Sequence, residues 1–352
     1  MIKVKIIGAG GYGGVGITEL LLGHPQASIA CLVDVADVGV PLSKLYPHLT
    51  GFCDLPLLGA TDPRAQEPVD VVFMATPDGV GMHLAPSELA AGAKVVDYSG
   101  DFRFNTPASY SEYATRIGRD PIHAAPQLLP QAVYGLTELH RQQLGPQTKV
   151  VGNPGCFAVS CILGLAPAVK HALIQLSSII CDCKTGVSGA GKKPSPAFHF
   201  PARYDHMNAY KLAGHQHVCE IERELGLLAG ADLKITFTAQ VVPVCRGIMS
   251  TLYAELAPGR SAADVAAADQ DFYGGQPFVR LFERDAGVGS AHVRGTNYCN
   301  LIVDVDARTN KLRVISHIDN LIKGQAGSAL QNMNLLFGIP ETAGLDQPGR
   351  YP

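Results

Sequence analysis

Lys3-Val4-Lys5-Ile6-Ile7-Gly8-Ala9-Gly10-Gly11-Tyr12-Gly13-Gly14-Val15 decides the fold of this chain. The apolar run Lys3–Ile7 reads as a strand and the segment from about Val15 to Leu22 as a helix, with G-x-G-x-x-G directly between them. Glycine at these positions lets a backbone approach a pyrophosphate, and the helix N-terminus that follows offers unpaired N–H groups to its charge. Gly8, Gly10, Gly11, Tyr12, Gly13 and Gly14 are therefore the expected cofactor loop. A turn that only packs strand against helix is the alternative, and the surrounding pattern argues against it. Strand signals at Ser28–Val33, Val69–Ala75 and Lys94–Asp97, with a helix around His83–Gly92, predict a parallel sheet with crossover helices, a Rossmann-type α/β domain. Thr76 and Pro77 follow the third strand, at the carboxyl edge where dinucleotides lie.

The composition is that of a globular protein: 47% hydrophobic and 17% charged, with a formal charge of −3 from 28 basic and 31 acidic residues. That balance gives no electrostatic reason to expect nucleic acid or an anionic membrane as partner. No apolar run approaches the roughly 18 residues of a membrane span. The nine cysteines are scattered, and the N-terminus enters a strand at once, which points to reduced thiols and the cytoplasm. Cys181 and Cys183 alternate along one strand face and lack the C-x-x-C spacing of a zinc site, so they read as packing and no metal is expected.

Past residue 152 the strands lengthen: Ser178–Lys184, Lys234–Pro243, Ile248–Ala257, and the pair Asn300–Asp306 and Lys311–His317 around a turn at Thr309-Asn310. A mostly antiparallel sheet with helices on one face follows, an α+β second domain over 153–319. The dinucleotide-binding domain is expected over 1–152, joined by a C-terminal helix within 320–352 that runs from about Gln325 to Phe337.

At that boundary stands Asn153-Pro154-Gly155-Cys156, a turn running into an apolar helical stretch from Phe157 to Leu165. Cys156 is thus expected in a helix's first turn, where unpaired N–H groups and the helix dipole favour the thiolate, the attacking form of sulfur. A buried packing cysteine is the alternative. A second cluster, Gly214-His215-Gln216-His217-Val218-Cys219-Glu220, opens another helical run. His215 is the candidate acid/base, with Glu220 about a turn further on to fix its tautomer. His217 competes for the role, and Glu220 has a rival partner in Arg223.

Together these segments resemble N-acetyl-γ-glutamyl-phosphate reductase, the arginine-pathway member of the group that includes aspartate-semialdehyde dehydrogenase. The resemblance runs nearly end to end, through the Gly8–Gly14 loop, Tyr46-Pro47-His48-Leu49, Ser99-Gly100-Asp101-Phe102-Arg103, Tyr134-Gly135-Leu136-Thr137-Glu138, Val151–Cys156, Gly186-Val187-Ser188-Gly189-Ala190-Gly191, Ala209–His217, Val242–Ile248 and Asp319–Gly327. It implies NADPH-dependent reductive dephosphorylation of N-acetyl-L-glutamyl 5-phosphate to the semialdehyde through a thioacyl intermediate on Cys156. It also implies substrate contacts at Arg103, Arg246 and Asn153, cofactor contacts at Ser188, Gly189, Gly191 and Asn320, and a homodimer or homotetramer. A reductase of carrier-bound aminoadipyl phosphate would keep every one of these motifs; aspartate-semialdehyde dehydrogenase is disfavoured by the Tyr134–Glu138 and Gly214–His217 segments, and a non-enzymatic dinucleotide sensor by the intact Cys156, His215, Glu220 and Arg246. One position departs from the family. Where its members carry Ser-Arg or Thr-Arg after the second strand, suited to the 2′-phosphate of NADP, this chain reads Leu32-Val33-Asp34-Val35-Ala36. An aspartate there hydrogen-bonds a free ribose hydroxyl and repels a phosphate, so Asp34 makes NAD a possible cofactor.

Overall fold

The computed structural model of the protein describes residues 1–349 and 351, which form two compact units. The first comprises Met1–Pro154 and Gln325–Gln347, the second Gly155–Gly324 and the tail from Pro348. The chain leaves the first unit after Pro154 and returns to it at Gln325.

The first unit is built on strands β1 (Ile2–Ile7), β2 (Ala27–Val33), β3 (Leu57–Leu58), β4 (Val71–Met74), β5 (Lys94–Asp97), β6 (Ala132–Tyr134) and β7 (Val150–Gly152). They form one sheet in the order β3-β2-β1-β4-β5-β7-β6, every pairing parallel. β4 and β5 are buried along their whole length, as strands covered on both faces must be, which is why Val71–Met74 reads as a continuous apolar run. Helix α1 (Tyr12–Leu22) follows β1, and α2 (Gly81–Ala90) follows β4. The C-terminal helix, Gly327–Leu336, is preceded by a π-helical turn over Ile322–Ala326, which takes in the first two residues of the helix expected from about Gln325 to Phe337.

The second unit holds strands β8 (Ile180–Thr185), β9 (Asn208–Tyr210), β10 (Thr236–Val241), β11 (Ile248–Glu255), β12 (Val279–Phe282), β13 (Cys299–Asp306) and β14 (Lys311–Ile318). Their order is β12-β13-β14-β11-β8-β10-β9. Four of the six pairings are antiparallel, while β8–β10 and β12–β13 are parallel, so the sheet is mixed. Helices α3 (Cys156–Lys170), α4 (His217–Ala229) and α5 (Ala262–Tyr273) belong to this unit.

Helix α3 is the spine of the second unit, with Phe157 through Val169 all buried. Gly164 lets it close onto the sheet, since a Cβ there would lie 2.4 Å from Leu252 Cδ1. Ser160 Oγ bonds Ser250 Oγ at 2.8 Å and Ser316 Oγ at 2.9 Å, pinning the helix to β11 and β14. Pro167 lies inside α3 and brings no N–H, so the carbonyl four residues earlier, at Leu163, loses its helical donor. The Tyr273 hydroxyl, from α5, donates to that carbonyl instead. Cys181 and Cys183 are fully buried, and Cys183 Sγ lies 3.5 Å from Cys161 Sγ. Burial pushes the thiols of Cys161 and Cys183 well up, as expected of packing cysteines. Among the described residues no helix is long and apolar enough to cross a membrane, and no group of three or more His, Cys, Asp or Glu side chains is arranged to hold a metal ion.

Candidate active site

The glycine loop of the first unit has the shape a pyrophosphate requires. Gly8 has φ +81°, a conformation disfavoured for residues with a side chain, and a Cβ there would lie 2.4 Å from Ala75 O. A Cβ on Gly14 would lie 2.3 Å from Gly8 O, so strand and helix can touch only because both are glycine. Val15 N–H is the first in α1 to find a helical acceptor, Gly11 O at 2.9 Å, and the head of the helix therefore presents its earlier N–H groups outward. Thr76 Oγ1 is buried without a hydrogen-bond partner close to Gly8, an orphan that a bound dinucleotide would satisfy. Asp34 stands at the end of β2, its Oδ2 accepting from Gly10 N–H at 2.8 Å. Two latches brace the neighbouring loops: Asp78 accepts from Gly100 N–H and Tyr113 Oη, and Asp101 from the N–H groups of Gly79 and Met82.

In the second unit Cys156 is the first residue of α3, capped by Gly155 without any side-chain cap. Val159 N–H bonds Gly155 O at 2.9 Å, so the N–H groups ahead of it face the region of the sulfur. Gly324 packs against Cys156: a Cβ on it would lie 2.6 Å from Cys156 Cβ and 3.1 Å from its Cα. Nothing in the local sequence marks that contact, which joins residues far apart in the chain. The π-helical turn that carries Gly324 was equally hidden, although such turns concentrate at functional sites.

The histidines are where geometry departs most from the sequence reading. Helix α4 begins at His217, so His215 lies ahead of the helix and not in its first turn. His215 is 2% exposed and packed among Phe157, Tyr210, Phe237 and His217. Burial, then the charge of Lys211, pulls its imidazole down to about 3. Its Nδ1 accepts from His217 N–H at 3.2 Å, which leaves the ring proton on Nε2. The imidazole against the turn before Cys156 is that of His217: a Cβ on Gly155 would lie 2.3 Å from its Nε2 and 2.9 Å from Glu220 Oε1. Glu220 is buried, and its Oε2 accepts from Gly155 N–H at 3.0 Å. The rival pairing with Arg223 does not occur, because Arg223 bonds Glu224. Tyr210 also belongs here, its phenol pushed up by burial and then by Cys156.

The expected substrate contacts divide. Arg246 Nε pairs with Asp319, a fully buried carboxylate that also accepts from the N–H groups of Gly295, Leu321 and Ile322. So braced, Arg246 keeps a partly exposed guanidinium in a fixed direction. Arg103, by contrast, is buried and spends its guanidinium on Asn153 O at 2.8 Å and Tyr98 O at 2.5 Å. Asn153 is fully buried, donating from Nδ2 to Gln325 O and from its N–H to Asp97 O. Both side chains brace the strand end that leads to Cys156. Asn320 Oδ1 accepts from Gly247 N–H at 2.8 Å while its Nδ2 donates to Ser188 Oγ at 3.0 Å, tying the Arg246 segment to the turn carrying Ser188, Gly189 and Gly191.

A dinucleotide loop in one unit and a helix-capped cysteine with a histidine and a buried carboxylate in the other define a semialdehyde dehydrogenase. Residues 3–146 match the family model for the semialdehyde dehydrogenase NAD binding domain, and residues 156–320 that for the dimerisation domain. The chain belongs to the N-acetyl-γ-glutamyl-phosphate reductase family. It is 42% identical to the protein of that name from Geobacter sp. (strain M21), over all of both chains. The reductase of Pelotomaculum thermopropionicum is also 42% identical, over all of this chain and 99% of its own. Among solved structures, aspartate semialdehyde dehydrogenase II of Vibrio cholerae complexed with ASA superposes with a TM-score of 0.70 at 16% identity, covering 96% of this chain and 98% of that one. The Candida albicans aspartate semialdehyde dehydrogenase with NADP gives 0.65 at 16%, with the same coverage. At that identity the likeness is one of fold.

Proposed function

We propose that Cys156 is the nucleophile, His217 its acid/base partner and Glu220 the support of that histidine. The reaction is NADPH-dependent reduction of N-acetyl-L-glutamyl 5-phosphate to N-acetyl-L-glutamate 5-semialdehyde, a step of arginine biosynthesis. The observation that carries the assignment is the seat of Cys156: first in α3, behind a glycine that touches His217 and Glu220, and packed on Gly324.

His217 takes the thiol proton, and Cys156 Sγ attacks the acyl carbon. The carbon–oxygen bond to phosphate breaks, phosphate leaves with the electron pair, and a thioester remains. The nicotinamide supplies the hydride when bound. The head of α3 then stabilises the hemithioacetal oxygen through its N–H groups, because those of Asn153 and Gly155 are already committed to Asp97 O and Glu220. His217 returns a proton to that oxygen and recovers it as the hemithioacetal collapses to aldehyde and thiolate. Glu220, held by Gly155 N–H, favours the transient imidazolium. Arg246 is the cation for the substrate's anionic groups, its fork suited to carboxylate and phosphate alike.

The names carried by relatives of 41–43% identity favour the acetylglutamyl substrate over the aminoadipyl and aspartyl ones. The match to a dimerisation domain supports an assembly of identical chains, a dimer or tetramer. A biosynthetic reductase with nine free cysteines fits the cytoplasm. The test is trapping: with acyl phosphate but no reduced cofactor, mass spectrometry should find an acyl adduct on Cys156 and on none of the other cysteines. Cys156→Ala should abolish adduct and turnover while binding the cofactor unchanged. An adduct elsewhere, or a Cys156→Ala rate within about tenfold of the parent, returns Cys156 to a packing role.

A further inference from the structure

The ribose end of the dinucleotide loop is acidic in this chain. Asp34 Oδ2 accepts from Gly10 N–H at 2.8 Å, while Oδ1 accepts from Val35 N–H at 2.8 Å and Ala36 N–H at 3.1 Å. Those three bonds fix the carboxylate beside the loop, and Gly10 is small enough to admit it: a Cβ there would lie 3.1 Å from Oδ2. The carboxylates of Asp34, Glu19 and Asp37 all bear on Tyr46 beside the loop. Lys5 is buried in an ion pair with Glu88, and from Ile6 to Ser43 there is neither lysine nor arginine. Tyr46, whose hydroxyl donates to Gly10 O at 2.9 Å, has its phenol pushed up to about 12 by burial and then by Tyr12, Asp34, Glu19 and Asp37. A ribose 2′-phosphate in this position would meet carboxylates and no cation of the loop, whereas a 2′-hydroxyl would meet a fixed acceptor.

We propose that Asp34 makes this chain select the free 2′-hydroxyl, so that it binds and uses NADH at least as well as NADPH. The proposal rests on the assignment of Gly8–Gly14 as the dinucleotide loop and deepens it. NADPH remains a substrate, but the 2′-phosphate contributes repulsion where a cation would have contributed affinity. Because that repulsion is between charges near solvent, salt weakens it.

Equilibrium binding of NADH and NADPH to the full chain, read from nicotinamide fluorescence without acyl substrate, tests this separately from catalysis. NADH should bind more tightly, by about tenfold, and raising salt should narrow the gap by improving NADPH. Asp34→Ser should move the ratio of affinities about tenfold toward NADPH. Asp34→Asn, which keeps an acceptor for Val35 and Ala36 N–H, should move it the same way and serves if the serine variant folds poorly. The ratio of kcat/KM for the two cofactors should follow. NADPH binding more tightly than NADH in the parent chain overturns the proposal, as does a ratio left unchanged by both substitutions. If the NADPH advantage then falls in Lys44→Ala, the phosphate's cation is the first one after the loop. Binding of neither nucleotide defeats the loop assignment itself, and the proposal with it.

Discussion

Gly324→Ala tests whether close packing on Cys156, the proposed nucleophile, matters for the chemistry. The added methyl would sit 2.6 Å from Cys156 Cβ and 3.1 Å from its Cα. Carbon atoms rest comfortably at about 3.5–4.0 Å, so roughly 1 Å must be found. The π-helical turn has little room to give it. Gly324 N–H is bonded to Asp319 O at 2.9 Å, Lys323 and Ile322 are buried, and the Asp319 carboxylate holds Leu321 and Ile322 N–H. Cys156 is therefore the partner that moves. Overpacking of this size costs about 1–3 kcal/mol of stability, and a 1 Å displacement of a reacting atom costs about a hundredfold in rate. Three readouts separate the effects: the urea midpoint, phosphate-dependent oxidation of the semialdehyde, and the rate of Cys156 alkylation by iodoacetamide. The expected result is a modest loss of midpoint, a rate down about a hundredfold, and altered alkylation of Cys156 alone. Full activity at parental stability would refute the reasoning, since the turn would then have yielded without disturbing the sulfur.

His217→Asn should slow turnover by about two to four orders of magnitude and His215→Asn much less. The reverse order in the pH–rate profile of purified variants would restore His215 as proton carrier. Tyr273→Phe leaves Leu163 O buried without a donor beside Pro167 and should cost about 1–3 kcal/mol in urea unfolding; an unchanged midpoint would mean that water or backbone shift replaces the hydroxyl. Asp97 is fully buried and its carboxyl is raised well above the ordinary range by burial and then by Asp101. A folded-state value above the unfolded one, about 3.9, means stability that is full at low pH and is lost as pH rises toward the folded value. Asp97→Asn keeps an acceptor for Ser99 Oγ and should therefore be more stable than the parent at pH 8, with the gap closing toward pH 4. Thermal melts across that range check the sign.

Local signals carried the fold well. The glycines after β1, the unbroken apolar run of β4 and the turn at Asn310, with φ 54°, all express their conformations within a few residues. Cys156 was legible for the same reason, since a helix start is written in the turn before it. Which histidine lies against Gly155 was not. Spacing along α4 says which residues share a face, but the proximity of His217 to Gly155 is a long-range contact, and so is the packing of Gly324 on Cys156. Arginine roles were equally out of reach: Arg103 and Arg246 look alike in sequence, and only burial shows one spent on backbone carbonyls and the other braced by Asp319.

The points where the chain leaves and re-enters the first unit set the order in which it is cheapest to fold. Asn153 Nδ2 must meet Gln325 O, at 2.9 Å, across the whole segment Gly155–Gly324. Closing a disordered loop of about 170 residues costs about 4.5 kcal/mol in chain entropy. That segment's own ends meet when it folds, Cys156 against Gly324. A chain that completes the middle first thus delivers Gln325 to Asn153 as a near neighbour, and the long loop is replaced by a short one. The contact that crowds Cys156 is also the clasp that lets the two halves of the first unit find each other.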